Sequence, residues 1–79
     1  MLSILNSMPH QIIGNCLKDK RIESGLTQAE LAGLVGIARI SITSIETGRH
    51  IPTIDTALRL SQVLDVPVND LFWIKEEKI

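Results

Sequence analysis

The sequence predicts an all-α fold of five short helices with a helix-turn-helix at the second and third, and three observations carry that prediction. Apolar residues recur at three- and four-residue spacings, the period of one helical face. Capping signals open the recurrent stretches: Thr27 with Glu30, and Thr53 with Asp55. Glycine or proline closes them, at Gly25, Gly36, Gly48 and Pro67.

In chain order, residues 1–8 show no clear period and form an N-terminal arm, or a short strand if another segment pairs with it. Pro9 suits a first helical position. Ile13, Leu17 and Arg21 then repeat every four residues with Cys16 beside them, which predicts a first helix over about 9–24. The second covers about 28–35, opened by the Thr27/Glu30 capping box, with Leu26 placed to staple against Leu31. Gly33 inside it costs roughly 0.5–1 kcal/mol relative to Ala, so this helix depends on packing. The third covers about 39–47. The fourth runs from the Thr53 cap to about Asp65, with Ala57, Leu58, Leu60, Val63 and Leu64 on its expected buried side. The fifth covers about 68–73, carrying Val68, Leu71 and Phe72. The expected organisation is an arm at 1–8, one domain at 9–74 that includes a C-terminal dimerisation helix, and a charged tail at 75–79, frayed or strand-like if paired.

Composition narrows the function. Seventy-nine residues make one domain, and the scarcity of aromatics (3%) leaves Ile and Leu to build the core. One cysteine permits no internal disulfide, which fits a reducing cytoplasm. No segment has the roughly 18 consecutive apolar residues of a membrane span, and the N-terminus lacks the marks of a signal peptide. With one Cys and two His, no metal site is expected, nor any other cofactor. No nucleophile–base set or glycine-rich phosphate loop is present, so no enzyme is expected. The net charge of −1 runs against the basic footprint usual for nucleic-acid binding. The charge is uneven, however: five basic side chains face four acidic ones up to residue 54, and three face five beyond it.

The stretch Thr27–Gly48 concentrates the functional signal. Leu31, Val35, Ile42 and Ile45 point to one core. Ala32 is small where two helices cross, and Gly36 permits the turn. The outward set on the third helix is then Arg39, Ile40, Thr43, Ser44 and Thr47, on a helix that a DNA major groove is wide enough to admit. Thr27-Gln28-Ala29-Glu30-Leu31-Ala32, Gly36-Ile37, Ser41-Ile42, Ile45-Glu46, Gly48-Arg49 and Pro52 together resemble the Cro/lambda-repressor-type helix-turn-helix family, also called the xenobiotic-response-element family, over about residues 12–72. The resemblance implies a five-helix lambda-repressor-like domain, a homodimer, and double-stranded operator DNA as ligand. It also implies base contacts from Arg39, Ile40, Thr43 and Ser44, and DNA-backbone contacts from Gln28, Ser41, Thr47 and Arg49. His50 beside Arg49 is a further backbone candidate. Ala38 departs from the Ser or Thr common before the third helix, removing a cap worth about 1 kcal/mol.

Arg21 and Glu46 each extend an apolar stripe, where an unpaired charge is very costly. Pairing them ties the first helix to the third, and the resemblance implies the same pair. Val68, Phe72, Trp73 and Ile74 form an apolar cluster expected to meet its symmetry mate. The expected function is a homodimeric transcriptional regulator, a repressor of bacterial or phage type, reading a near-palindromic operator. It is expected to be the entire protein, with no small-molecule effector. The competing reading is an antitoxin or another protein-binding module with secondary DNA binding.

Overall fold

The computed structural model describes residues 13–75. In order these form β1 (Ile13–Asn15), α1 (Leu17–Glu23), α2 (Gln28–Val35), α3 (Arg39–Glu46), α4 (Ile54–Leu64), α5 (Val68–Leu71) and β2 (Phe72–Ile74). The expected arm at 1–8, the start at Pro9 and most of the tail lie outside the described residues.

The five helices are present, but the fold is not purely all-α. β1 and β2 pair antiparallel, Ile13 opposite Ile74, Gly14 opposite Trp73 and Asn15 opposite Phe72. The first helix therefore begins at Leu17, well inside the expected span of 9–24. Gly14 is a poor helix former, and the Asn15 side chain accepts the Leu17 N–H at 3.0 Å, serving a backbone donor from outside the helix. The fifth helix ends at Leu71 rather than 73, because Phe72-Trp73-Ile74 is bulky and suited to a pleated surface. Beyond the ladder, the Cys16 N–H donates to the Leu71 carbonyl at 3.1 Å, so the two ends of the described chain are bonded together.

Local signals set the other boundaries. Both halves of the capping box form, Thr27 Oγ1 accepting from Glu30 N–H at 3.0 Å and Glu30 Oε1 from Thr27 N–H at 2.8 Å. Gly36 closes α2 with φ of 86°, in the left-handed region that glycine enters without strain. Thr53 caps α4 by accepting from Thr56 N–H.

The core is aliphatic: Leu17, Leu31, Ala32, Val35, Ile42, Ile45, Leu60, Leu64 and Leu71 are buried. Leu26, Ile37, Val63, Val66, Cys16 and Phe72 pack against it. Leu58, expected on the buried side of α4, is exposed. It lies two residues before Leu60, about 200° around the helix, so one face cannot bury both. The Arg59 guanidinium donates to the Val35 carbonyl at 3.3 Å, tying α4 to the turn between α2 and α3. No helix among the described residues is long and apolar enough to cross a membrane.

The sheet has little room for error. A Cβ on Gly14 would overlap Nε1 of the Trp73 indole and stand 2.8 Å from its Cε2, so the ring lies directly over the glycine. Gly14→Ala is expected to cost about 1–3 kcal/mol in urea unfolding. Trp73 is the single tryptophan, so its fluorescence should report the displaced ring directly.

Candidate nucleic-acid interface

The site is built around a charge that the fold has to bury. Leu17 and Arg21 share one face of α1, and both are buried. The Arg21 Nε donates to Glu46 Oε2 at 2.6 Å, and the Glu46 side chain retains only 3% of its exposure. The rest of the guanidinium is used as well. Nη1 donates to the Leu26 carbonyl at 2.8 Å and Nη2 reaches Glu46 Oε1 at 3.5 Å. A buried ion pair is tolerable only when its remaining donors and acceptors are satisfied, and no buried side-chain nitrogen or oxygen among the described residues is left without a partner.

Gln28 carries this network to the surface of α3. Its Nε2 donates to Glu46 Oε1 at 3.0 Å, while its Oε1 accepts from Thr43 Oγ1 at 3.0 Å and from Arg39 Nη1 at 3.2 Å. A glutamine amide offers two N–H donors and two lone pairs, so a single N–H remains for an outside acceptor. The sequence assigns Gln28 to a phosphate. In the structure it also braces two of the expected base readers, and nothing in the sequence signalled that second duty.

The outer face of α3 is laid out by helical geometry. Arg39, Ile40, Thr43, Ser44 and Thr47 fall on adjoining rows. Arg39 and Ile40 are exposed, Ile40 at 64%, whereas Ser41, Thr43 and Ser44 are half-buried. An isoleucine this open on a helix with buried Ile42 and Ile45 on its other side is apolar surface offered outward. Ala38 provides no side-chain cap for the first turn.

The far end of α3 is closed by its own hydrogen bonds. The Thr47 hydroxyl donates to the Thr43 carbonyl at 2.9 Å, and the Arg49 and His50 amides donate to the Ser44 carbonyl at 2.9 and 3.2 Å. The backbone amides of Arg49 and His50 are thus consumed, which leaves only their exposed side chains to face outward. Asn15, absent from the sequence-based site, reaches the same turn, its Nδ2 donating to the Ile45 carbonyl at 3.1 Å. An amide residue two positions before the first core leucine was the available signal.

Of the expected dimer residues, Trp73 and Ile74 are exposed, Val68 is half-buried and Phe72 packs on its own core. Alternation along β2 puts Phe72 and Ile74 on one face and Trp73 on the other. The sequence did not single out Ile51 and Ile54, which are also exposed. Among the described residues no cluster of His, Cys, Asp or Glu is arranged to hold a metal ion.

A helix-turn-helix family model matches residues 17–71, from the first residue of α1 to the last of α5. The chain belongs to the Cro/lambda-repressor-type helix-turn-helix family. This is a family of DNA-binding transcriptional regulators. One relative is the uncharacterized helix-turn-helix-type transcriptional regulator YgzD of Bacillus subtilis (strain 168), 32% identical over 63 residues, covering 80% of this chain and 96% of YgzD. The ImmF control region 10 kDa protein of Bacillus phage phi105 is 36% identical over 59 residues, covering 75% of this chain and 66% of the phage protein. Among solved structures, the restriction-modification controller protein C.AhdI from Aeromonas hydrophila superposes with a TM-score of 0.65 at 30% identity, over 68% of this chain and 82% of that one. The biofilm regulator SinR in complex with DNA superposes at 0.63 with 37% identity, over 67% and 86%.

In this helix-turn-helix domain the ion pair has a measurable consequence. Glu46→Ala leaves a buried guanidinium without its counter-charge and is expected to cost about 3–5 kcal/mol in chemical denaturation. Replacing both partners, Arg21→Met with Glu46→Leu, should recover most of that loss.

Proposed function

We propose that this helix-turn-helix regulator is a homodimeric repressor that inserts α3 into the major groove of a near-palindromic operator and blocks a promoter by occupying it. The observation that carries the reading is the outer face of α3. There Arg39 and the apolar Ile40 are exposed on a helix anchored from behind by Ile42, Ile45 and Glu46.

Each side chain suits its assigned role. Arg39 can chelate the O6 and N7 of a guanine, and Ile40 can contact a thymine methyl. Thr43 and Ser44 follow on the adjoining rows, with hydroxyls that suit several base edges. Gln28 offers its remaining N–H to a phosphate from the head of α2, where the helix dipole also favours an anion. Ser41, Thr47, Arg49 and His50 flank the readers as backbone contacts.

Dimerisation follows from what is left uncovered. Trp73 and Ile74 on β2 and Ile51 and Ile54 around the start of α4 are large apolar side chains in water, a pattern that marks interaction surfaces when such residues are contiguous. Phe72 adjoins Trp73 in sequence, and Val68 opens the short α5 that leads into β2. A two-fold dimer sets two recognition helices about 34 Å apart and doubles the phosphate contacts, which offsets the slight net negative charge of each chain. The domain is assigned to 9–74, between an arm at 1–8 and a charged tail at 75–79.

Selection of duplexes from a random pool, followed by titration at several salt concentrations, tests the proposal. A two-fold-symmetric site should emerge, with affinity falling as salt rises in proportion to the phosphates neutralised. Arg39→Ala should cost about 1–3 kcal/mol and relax the preference at one base pair. Arg49→Ala should weaken all duplexes alike. Absence of any preference over random duplex, even at low salt, would rule the reading out.

A further inference from the structure

Both strands of the sheet lie outside residues 17–71, the span matched by the family model. One side chain docks this sheet onto the recognition helix. Asn15 Oδ1 accepts the Leu17 N–H at 3.0 Å, at the start of α1, and Asn15 Nδ2 donates to the Ile45 carbonyl at 3.1 Å. Ile45 sits in the last turn of α3, where carbonyls lack the usual amide four residues on. Its oxygen accepts a second bond from the Gly48 N–H at 3.1 Å. The Asn15 backbone is itself held in register with Phe72, so the amide is presented from a fixed strand. One side chain thus joins the sheet, the first turn of α1 and the last turn of α3.

We propose that Asn15 is a positioning residue for DNA recognition: it clamps the C-terminal turn of the recognition helix to the two-stranded sheet. This rests on the reading of α3 as the DNA-reading helix. The clamp holds Thr47, Arg49 and His50 at a set angle to the base readers, because the turn that carries them cannot shift without breaking the bond to Ile45. It also connects that turn to the exposed Trp73 and Ile74, so a partner seated on the sheet is mechanically linked to the end of the helix in the groove.

The two duties of Asn15 can be separated. Asn15→Ser keeps a short acceptor for the Leu17 N–H but is too short to reach Ile45. Asn15→Asp keeps the full-length acceptor but sets a carboxylate oxygen against the Ile45 carbonyl. Amide hydrogen exchange by NMR and binding to a selected and a random duplex at one salt concentration read the clamp. Both variants should retain protection in α1 and α2 while losing it at Gly48, Arg49 and His50, whose amides close that turn. The ratio of selected to random affinity should fall about threefold to tenfold, the worth of one hydrogen bond, with a smaller loss on the random duplex, whose backbone Thr47, Arg49 and His50 also grip. Unchanged protection at 48–50, protection lost evenly along the chain, or equal weakening on both duplexes would each overturn the proposal. If the unaltered protein shows no preferred duplex, the DNA-reading assignment fails, and the clamp with it as a device for recognition; the exchange measurement then separately decides whether the bond holds the turn.

Discussion

The ion pair between Arg21 and Glu46 is the interaction on which the geometry of this domain depends. Two charges taken from water are favourable only if their mutual attraction and further hydrogen bonds offset the desolvation. Here the offset comes from three places: the carboxylate at 2.6 Å, the Leu26 carbonyl at 2.8 Å and the Gln28 amide at 3.0 Å. Those partners belong to α3, the loop after α1, and the head of α2. A shift of any one of them leaves a buried donor or acceptor unmatched. Apolar contacts between α2 and α3 tolerate small rotations; this network does not, so it fixes how α3 is presented.

The network also explains why a polar surface can be orderly without being rigidly packed. Arg39 is a long, exposed side chain with much rotamer freedom to lose. Its bond to Gln28 Oε1 restrains it before any ligand arrives, and Gln28 is itself held by Glu46. Order therefore passes outward from the buried pair through one amide to the exposed Arg39. Thr43 shares that amide oxygen, which places two of the proposed base readers on one support. The cost of ordering them is met largely in the folding of the domain rather than at the moment of binding.

The helix-turn-helix was legible in the sequence because its determinants are local. The capping box at Thr27 and Glu30, the left-handed Gly36 and the spacing of Leu31, Val35, Ile42 and Ile45 all act within a turn or two of chain. The pairing of Arg21 with Glu46 was legible for another reason: a charge on an inward stripe needs a partner, and few were on offer. The sheet was not legible, because its strands come from opposite ends of the described chain and each is three residues long. Ile13 fits a helical repeat with Leu17 and Arg21 as well as it fits a strand, and only the partner at Ile74 decides between them. The bracing role of Gln28 was hidden in its side-chain geometry. Its residue type suits a phosphate equally well.

These restraints leave the recognition helix unequal along its length. Its middle is held by Ile42 and Ile45 in the core, and its far end by the Gly48 turn and Asn15. Its first turn has no side-chain cap at Ala38, forgoing about 1 kcal/mol of stabilisation, and Gln28 reaches it only through the side chain of Arg39. Backbone closure of that turn falls to the Ser41 N–H, which donates to the Ala38 carbonyl at 3.0 Å. The absent hydroxyl at Ala38 thus leaves the first turn to be held from outside through a side chain, Arg39 on Gln28, while the far end is held through its backbone, the Ile45 carbonyl on Asn15.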